Sequence, residues 1–508
     1  MAEIKNTWGK RALAGFGVLA LASAGLLGGS TAASAATELG NIDFSAEKQD
    51  KTSLTIHKYQ HQNGTEEKAP DGSDGIFADP LQDVVFTAYP ITSIDLKENA
   101  DWARLKTLTP GTTCASLGSE TLGAGIEFDP TDGAGQATLE KLAIGAYLVC
   151  ETDAPETVVD RALPFIVTIP MPYDNGWLYN VHVYPKNGIT SIKKDVSAPS
   201  GLGLGSTVQF PVTTQVPRVA ANSALTGYVV SDTLDSRLDP VSVASVTIDG
   251  VAVDSNFYTE VLDGYKLSVV FKTEGLEFLS DPANRDKEIV IAFQGVVKTL
   301  GDDGVIENTA TVFVNDPVKG VESNEVVTKW GDVRILKYAA PKTEEGVKAG
   351  LAGAVFEVYS AGEGTYAGGK CEGAVATGSA ISVIKDRETK TQFMSDADGL
   401  INIDGLFVSD SKTGAAADQA CYVLKEVQAP AGYVLPADPF TAVAVKTGNT
   451  ATAVYDAQVA NTQQEVPELP LTGANGQMVM VIGGSALLLI AGGVVMLNRR
   501  RSANEQQN

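Results

Sequence analysis

The chain has 508 residues and is strongly acidic, with 38 Lys and Arg against 62 Asp and Glu and a formal net charge of −24. Its length suffices for roughly three domains of ordinary size. The phosphate backbone of a nucleic acid would repel so acidic a chain, and we therefore expect no nucleic-acid partner. With three His in the whole sequence, we also expect no multi-histidine metal site, no cofactor and no His-based catalytic triad, while metal binding in loops stays open.

The first 35 residues have the three-part layout of a secretory signal peptide. Three basic residues precede an apolar run over 12–27, and the small residues Ala33, Ser34 and Ala35 follow it. We therefore predict cleavage before Ala36 and export of the remaining chain.

The body of the chain shows the patterning of short strands. Alternating runs of Val, Ile, Thr, Tyr and Phe, such as 54–59, 165–169 and 311–314, are broken by Gly, Pro, Asp and Asn. No segment of convincing length shows the helical period, and the Gly-rich stretch 201–205 predicts a loop rather than a phosphate site. Many short strands with turn-rich connections are typical of β-sandwiches. We predict an all-β chain of three tandem immunoglobulin-like β-sandwich domains.

Three segments open with a lysine on the apolar face of an alternating strand. These lysines are Lys58, Lys194 and Lys337, and each has an apolar residue two positions away. Successive side chains of a strand point to opposite faces, so the three lysines are expected to point into a sandwich core. The alternative is a lysine at a strand end whose amine reaches back to solvent.

Each of the three segments also closes on a strand with an inward-pointing asparagine. The candidates are Asn187, Asn324 and Asn461, at a nearly constant distance along the chain from their lysines. Asn308 also faces inward and competes with Asn324, so the choice in the second segment stays open. We place the domains at 36–187, 188–330 and 331–462, followed by a polar stalk that leads into the C-terminal region at 463–472.

The first domain ends in a ten-residue segment, 177–186, that reads WLYNVHVYPK. Alternation places Lys186 on the face opposite Val183 and Asn187, hence toward solvent, although an edge-strand lysine after a proline would look the same. The segment resembles the pilin motif WxxxVxVYPK of sortase-assembled Gram-positive pilins. The residues that carry the resemblance are Trp177, Val181, Val183, Tyr184, Pro185 and Lys186. It implies that Lys186 attacks the acyl-enzyme of another subunit and forms an intermolecular isopeptide bond.

A second family feature lies in the third domain. Residues 422–433 read YVLKEVQAPAGY and resemble the E-box YxLxETxAPxGY of such pilins, with Val427 where the family usually has Thr. The resemblance implies Cna-type sandwiches, with a Cna B-type domain at the C-terminus. It makes Glu426 the acid for an intramolecular isopeptide bond between Lys337 and Asn461.

The other two domains offer weaker candidates for this acid. A partial match to the E-box over 147–155 contains Glu151. The middle domain has no E-box, but Asp232 shares a strand face with Val230 and Leu234.

The proposed bond requires these residue types in an apolar core. Burial lowers the pKa of a lysine, so that a neutral amine can attack, and raises the pKa of a carboxyl, so that the neutral acid can polarise the asparagine amide. Ammonia then leaves. The alternative is a buried ion pair hydrogen-bonded to the asparagine without a bond. Whether the first domain closes its bond stays open, because Asn187 directly follows Lys186.

The four cysteines are divided between the outer domains. Cys114 and Cys150 lie in the first domain, and Cys371 and Cys421 lie in the third. Four cysteines allow three connectivities, of which pairing within each domain is the simplest because the other two would bridge separate sandwiches. An exported chain is expected to hold disulfides rather than free thiols.

The C-terminal region contains a pentapeptide, an apolar span over 478–497 and three arginines at 499–501. The pentapeptide is Leu469, Pro470, Leu471, Thr472 and Gly473. The span is long enough to cross a bilayer, and the arginines would hold the tail on the cytoplasmic side. The pentapeptide resembles the LPxTG sorting signal of Gram-positive surface proteins. The resemblance implies that a sortase cleaves after Thr472, keeps that residue as an acyl-enzyme and removes 473–508.

Signal peptide, pilin motif, E-box and sorting signal follow in family order, so the chain resembles a backbone pilin of actinobacterial sortase-assembled fimbriae. We expect a structural shaft subunit on the cell wall that serves adhesion, with Lys186 of one subunit joined to Thr472 of the next. The expected partners are identical subunits, pilus-specific and housekeeping sortases, a tip adhesin subunit, peptidoglycan and a host receptor that the sequence does not identify. A wall-anchored monomeric adhesin and a minor basal pilin stay as alternatives, and an enzyme is the least favoured class.

Overall fold

The structure is a computed structural model that describes residues 42–61, 79–173, 176–219, 224–340, 348–361, 371–414, 417–451 and 454–464. The expected signal peptide, sorting pentapeptide and apolar span lie outside these residues. Strands dominate the described chain, and its α-helices are no longer than 8 residues. None of these helices is long and apolar enough to cross a membrane. The all-β prediction is confirmed.

The first predicted domain contains two short helices and twelve strands among its described residues. They are α1 (Ala46–Gln49), β1 (Ser53–His57), β2 (Tyr59–Gln60), β3 (Val85–Pro90), α2 (Asn99–Leu105), β4 (Ile126–Glu127), β5 (Gln136–Glu140), β6 (Gly145–Asp153), β7 (Val158–Asp160), β8 (Phe165–Ile169), β9 (Met171–Tyr173), β10 (Gly176–Leu178), β11 (Asn180–Val183) and β12 (Lys186–Ile189).

These strands form two main sheets with a common core. The sheets have the orders β11-β1-β5 and β4-β3-β6-β8, and a small third sheet has the order β2-β12-β7. Leu54, Phe86 and Tyr147 belong to the core between the two main sheets. Strand β6 is also covered on its other face, where Leu148 packs with Leu105 of α2. The third sheet therefore joins the beginning of the domain to the strand that begins at Lys186.

The second predicted domain contains two five-stranded sheets, with the orders β13-β14-β20-β16-β17 and β18-β19-β15-β22-β23. Its elements are β13 (Ile192–Lys194), β14 (Thr207–Gln215), β15 (Tyr228–Thr233), β16 (Leu238–Ile248), β17 (Val251–Ala252), β18 (Tyr258–Asp263), β19 (Lys266–Phe271), α3 (Thr273–Ser280), β20 (Glu288–Val297), β21 (Val305–Asn308), β22 (Ala310–Val314) and β23 (Gly320–Glu322). Short 3-10 turns lie at Ser255–Phe257 and Pro282–Asn284. Strict alternation along β14 buries Val208, Phe210 and Val212, as expected for a strand with one face in the core.

The third predicted domain begins within a strand of 14 residues. Its strands are β24 (Val326–Ala339), β25 (Val355–Ala361), β26 (Ala376–Thr377), β27 (Val383–Lys385), β28 (Glu388–Lys390), β29 (Phe393–Met394), β30 (Leu400–Asp410), β31 (Gln419–Gln428), β32 (Phe440–Lys446) and β33 (Ala457–Asn461). β24 lies between β21 and β30 and also pairs with β33, while β25, β26, β29, β31 and β32 form the facing sheet. β27 and β28 pair as a separate hairpin.

Strand β24 runs without a break through the predicted boundary at 330. Its first residues pair with β21 of the second domain, and its later residues pair with β33 of the third. Trp330 in the middle of the strand is fully buried and belongs to one hydrophobic cluster that includes core residues of both domains. The second and third domains therefore share a core as well as a strand.

The Gly-rich loop 201–205 contributes to the same junction. The backbone carbonyl of Leu204 accepts a hydrogen bond from Ile384 N at 2.8 Å, and that of Leu202 accepts one from Phe407 N at 2.9 Å. A Cβ on Gly405 would lie 2.1 Å from Leu204 Cγ, so only glycine fits there. The loop predicted from sequence thus packs against the third domain.

Candidate functional site

In the first domain, Lys58, Glu151 and Asn187 form a closed, buried ring. Lys58 lies between β1 and β2, Glu151 on β6 and Asn187 on β12. Lys58 Nζ is 2.9 Å from Glu151 Oε2 and contacts Asn187 Oδ1, while Asn187 Nδ2 donates to Glu151 Oε1 at 2.8 Å. Lys58 and Asn187 are fully buried. The amine therefore contacts the amide oxygen, and the carboxyl group of Glu151 contacts both the amine and the amide nitrogen.

Burial and one backbone donor affect the chemistry of this ring. Burial lowers the pKa of Lys58 to about 8, although the charge of Glu151 partly opposes the shift. The backbone N–H of Ala162 donates to Asn187 Oδ1 at 2.8 Å, and a donor at this oxygen polarises the amide carbonyl. The sequence did not indicate this donor, since a backbone N–H has no residue signature.

The third domain repeats the arrangement with Lys337 on β24, Glu426 on β31 and Asn461 at the end of β33. Lys337 Nζ is 3.0 Å from Glu426 Oε2 and contacts Asn461 Oδ1, and Asn461 Nδ2 donates to Glu426 Oε1 at 2.7 Å. All three side chains are buried. Desolvation lowers the pKa of Lys337 below its ordinary value, against the opposing effect of Glu426.

The second domain brings together Lys194, Asp232 and Asn308, which is one of the two asparagines that the sequence left open. Lys194 Nζ contacts Asp232 Oδ2, and Asn308 Nδ2 lies 3.4 Å from the same oxygen. Asn324 is exposed instead, and its side chain exchanges hydrogen bonds with the main chain of Lys194 at 3.0 and 2.9 Å. Asn324 lies between β23 and β24, outside both strands, so the alternation that predicted an inward side chain does not extend to it.

This second site is less closed than the other two. Asp232 Oδ1 and Asn308 Oδ1 are buried without a hydrogen-bond partner. Burial raises the pKa of Asp232 and lowers that of Lys194, with each charge opposing the shift of the other. In this site a single oxygen of Asp232 contacts both the amine and the amide nitrogen, whereas the longer glutamate of the other two sites uses one oxygen for each.

An aromatic ring lies close to each lysine. These rings were not predicted from the sequence. Phe86, Phe210 and Phe356 have their ring centres 5.5, 5.6 and 5.7 Å from the respective Nζ atoms. A repeated signal was present for two of them: 85–89 reads VFTAY and 355–359 reads VFEVY. These rings are part of the apolar surroundings that desolvate each amine, and the face of a ring also attracts a positive charge.

The pilin-motif residues occupy β10, β11 and the start of β12. Trp177 lies 5.5 Å from the ring of Trp102, and Val181, Val183 and Tyr184 are buried. After Pro185 the chain enters β12, whose first residue, Lys186, is half-buried beside the fully buried Asn187. Its Cα partner across the strand pair is Tyr59.

The cysteines are joined as Cys114–Cys150 and Cys371–Cys421, which is the pairing within each domain. Cys150 immediately precedes Glu151 on β6, and Cys421 lies on β31 with Glu426. Each disulfide thus ties down the strand that carries an acid. The sorting residues 469–473, Thr472 included, lie outside the described residues.

Three models of known protein families match parts of the chain. A family model for the N-terminal domain D1 of Gram-positive pilin subunits matches 49–188, one for a prealbumin-like fold domain matches 337–458, and one for the LPXTG cell wall anchor motif matches 461–504. The type 2 fimbrial subunit of Actinomyces naeslundii is 38% identical, over 94% of this chain and 93% of its own length. This chain belongs to the Gram-positive fimbrial pilins.

Two other relatives agree with this assignment. The type 1 fimbrial subunit of Actinomyces viscosus is 29% identical to this pilin over 85% of the chain and 87% of the relative. The structure of the full-length major pilin SpaD of Corynebacterium diphtheriae, 29% identical, superposes with a TM-score of 0.65 over 84% of this pilin and 99% of SpaD. The pilin is therefore a subunit of a surface fimbria, with a sorting signal for attachment to the cell wall.

Proposed function

We propose that this pilin is the shaft subunit of a covalent homopolymer. A pilus-specific sortase would hold Thr472 of one subunit as an acyl-enzyme, and the neutral amine of Lys186 on the next subunit would attack that carbonyl. The new amide forms as the enzyme's thiol leaves. The observation that carries the proposal is the position of Lys186, half-exposed at the start of β12 beside a buried asparagine.

The proposal includes an internal Lys–Asn bond in each domain. The neutral amine attacks the side-chain carbonyl carbon of the asparagine, the carboxyl polarises that carbonyl, and the amide nitrogen leaves as ammonia with the proton that the amine loses. The contacts of Lys58 with Asn187 and of Lys337 with Asn461 support direct attack. In the second domain the bond would join Lys194 to Asn308.

The pilin would not be an enzyme, because its only self-catalysed step would occur once within its own chain, while a sortase would catalyse the link between subunits. The predicted domains at 36–187, 188–330 and 331–462 would each hold one bond. A housekeeping sortase would transfer the finished polymer to peptidoglycan, a tip adhesin subunit would cap its far end, and a host receptor would be met by the fimbria as a whole.

The assignment of Lys186 is tested by polymerisation in cells that carry the pilus sortase. Wild-type subunits should give a ladder of multimers that resists boiling in SDS. Lys186→Ala should give monomer only, while Lys193→Ala, an exposed lysine in the following strand with a side chain 68% exposed, should give the full ladder. An intact ladder from Lys186→Ala would overturn the role of Lys186, and antibody labelling confined to the filament base would indicate a basal pilin.

The internal bonds are tested by the intact mass of the folded mature body. The mass should fall short of the sequence mass by one ammonia for each bond, in addition to two hydrogens for each disulfide. A mass that lacks only the four disulfide hydrogens would refute the internal bonds and leave the role of Lys186 untouched.

A further inference from the structure

Arg218 connects the second domain to the strand pair that carries Lys186. It follows β14, and its Nε donates to both carboxylate oxygens of Asp286, at 2.7 and 2.9 Å. Its Nη1 reaches the first domain, 3.3 Å from the backbone carbonyl of His61 and 3.3 Å from Asp79 Oδ2. One guanidinium therefore holds a carboxylate on each side of the domain junction, in the planar geometry to which arginine is suited.

The contact with His61 continues directly to the pilin strand. The backbone N–H of His61 donates to the carbonyl of Asn187 at 2.8 Å. The carbonyl of His61 in turn accepts a hydrogen bond from Arg218. Asp79 flanks the same strand, since its carbonyl accepts from Gln60 N at 3.0 Å. Arg218 thus contacts both chain segments that support β2, and β2 is the partner of Lys186 and Asn187.

The main chain of Arg218 packs against β12 at Gly188. A Cβ on Gly188 would lie 2.7 Å from the carbonyl oxygen of Arg218 and 2.9 Å from the Cβ of Asp160. Only glycine allows the second domain to approach β12 so closely. The residue two positions after Lys186 is therefore enclosed between the two domains.

The strands around Lys186 need such support because they are short. β2 has 2 residues, β12 has 4 and β7 has 3, and isolated pairs of this length are marginal in water. An acyl-transfer enzyme gains rate from a nucleophile held in place, and a displacement of about 1 Å can cost up to a hundredfold in rate.

We infer that Arg218, through Asp286, Asp79 and the main chain at His61, is a positioning residue that holds the Lys186 strand in the geometry a sortase requires. The inference rests on the proposed role of Lys186. It adds that the second domain takes part in presenting the nucleophile of the first.

The test compares Arg218→Ala, Arg218→Lys and a matched control, Arg237→Ala. Arg237 pairs with Asp235 and Asp303 at 2.6 and 2.8 Å and is similarly exposed, but it makes none of the contacts to the first domain described for Arg218. Each folded chain is offered to a pilus sortase with a labelled peptide of the sequence LPLTG, and the rate of labelling at Lys186 is measured. We expect Arg218→Ala to lower kcat/KM by about tenfold, Arg218→Lys to recover part of the loss, and Arg237→Ala to match the wild type.

A second readout needs no sortase. Hydrogen exchange of the His61 amide should be about tenfold faster in Arg218→Ala than in the wild type, because its acceptor strand opens more often, and should not change in Arg237→Ala. If Arg218→Ala does not fold, Asp79→Asn replaces it, since that carboxylate is 52% exposed and leaves the pair with Asp286 intact.

The outcomes separate the two proposals. Wild-type labelling and exchange in Arg218→Ala, with Lys186→Ala inactive, would overturn the positioning role alone. Undiminished labelling of Lys186→Ala would overturn the proposed function itself.

Discussion

Lys337 and Asn461 lie on parallel neighbouring strands and are offset by two residues: Lys337 is paired with Val459, and Asn461 with Ala339. The first domain has the same relationship, because Asn187 is paired with Gln60, two residues after Lys58. In both domains the first strand of the sandwich therefore lies beside the last, with the lysine amine reaching forward to the amide. The shared register predicts the same bond in both.

Glu426→Gln should prevent the bond in the third domain. The substituted amide keeps the shape of the side chain but cannot act as an acid, so Lys337 should remain unlinked and the measured mass should gain one ammonia relative to wild type, apart from the substitution itself. The variant also loses the constraint that the cross-link places on the unfolded chain, so its free energy of unfolding should fall by about 2–5 kcal/mol. Glu357→Gln, on β25 of the same domain and hydrogen-bonded to Tyr359 and Gln392, should leave the bond formed.

Asn308→Ala and Asn324→Ala distinguish the two candidates in the second domain. Asn308 is 3% exposed, and its side chain contacts the carboxylate of Asp232. The side chain of Asn324 contacts the main chain of Lys194 instead. Peptide mapping should therefore find the cross-link to Lys194 lost in Asn308→Ala and retained in Asn324→Ala. The reverse result would place the bond at the end of the domain, where the sequence first suggested it.

Asn187→Ala should make the stability of the first domain depend on pH in a characteristic window. Lys58 then stays unlinked, with its pKa lowered by burial to about 8 from 10.5 in the unfolded chain. Between these values the unfolded state binds the proton and the folded state does not, so the free energy of unfolding rises with pH, by at most about 1.4 kcal/mol per unit.

The measurement is urea unfolding between about pH 8 and 9.5. Higher pH is avoided because burial raises the pKa of Tyr147 to about 12, and a phenol protonated only in the folded state makes stability fall with pH. The control carries Lys58→Met as well as Asn187→Ala and should be flat across the window. A fall in stability with pH in the single variant would contradict the assignment of a neutral buried amine.

Leu204→Ala should loosen the junction of the second and third domains. Leu204 is 4% exposed and packs against Gly405, so its truncation leaves a cavity and should lower the free energy of unfolding by about 2–5 kcal/mol. Leu262→Ala, at a site 55% exposed, should change it by less than about 0.5 kcal/mol. Equal effects of the two variants in urea unfolding would show that the Gly-rich loop does not couple the domains.

Much of the fold was accessible from the sequence because a half-buried strand has a period of two. That period put Lys58, Lys194 and Lys337 on the core side, and the E-box resemblance supplied Glu426. The same period could not distinguish Asn308 from Asn324, because it does not show where a strand begins, and Asn324 lies just before β24.

The long-range contacts were also out of reach. Arg218 looked like any surface arginine, since its partners Asp79 and Asp286 are far from it in the chain. The boundary expected at 330 falls inside β24, because a strand that exchanges one neighbouring sheet for another keeps its alternation throughout. Such features depend on which strands are adjacent, and the local sequence pattern does not show which strands pair.

The continuity of β24 has a mechanical consequence for a fibre linked through Lys186 and Thr472. Tension would pass from Lys194 to Asn308 and from Lys337 to Asn461 through the side-chain bonds, leaving the loops of the sandwiches slack. Between Asn308 and Lys337 the backbone of residues 309–336 has to bear the load, and β24 supplies the last part of it, residues 326–336. A strand already rises about 3.3 Å per residue, close to the limit of an extended chain. The β24 part of the junction therefore has almost no length left to give, and any extension between the second and third domains should come from residues 309–325, which fold back through β22 and β23.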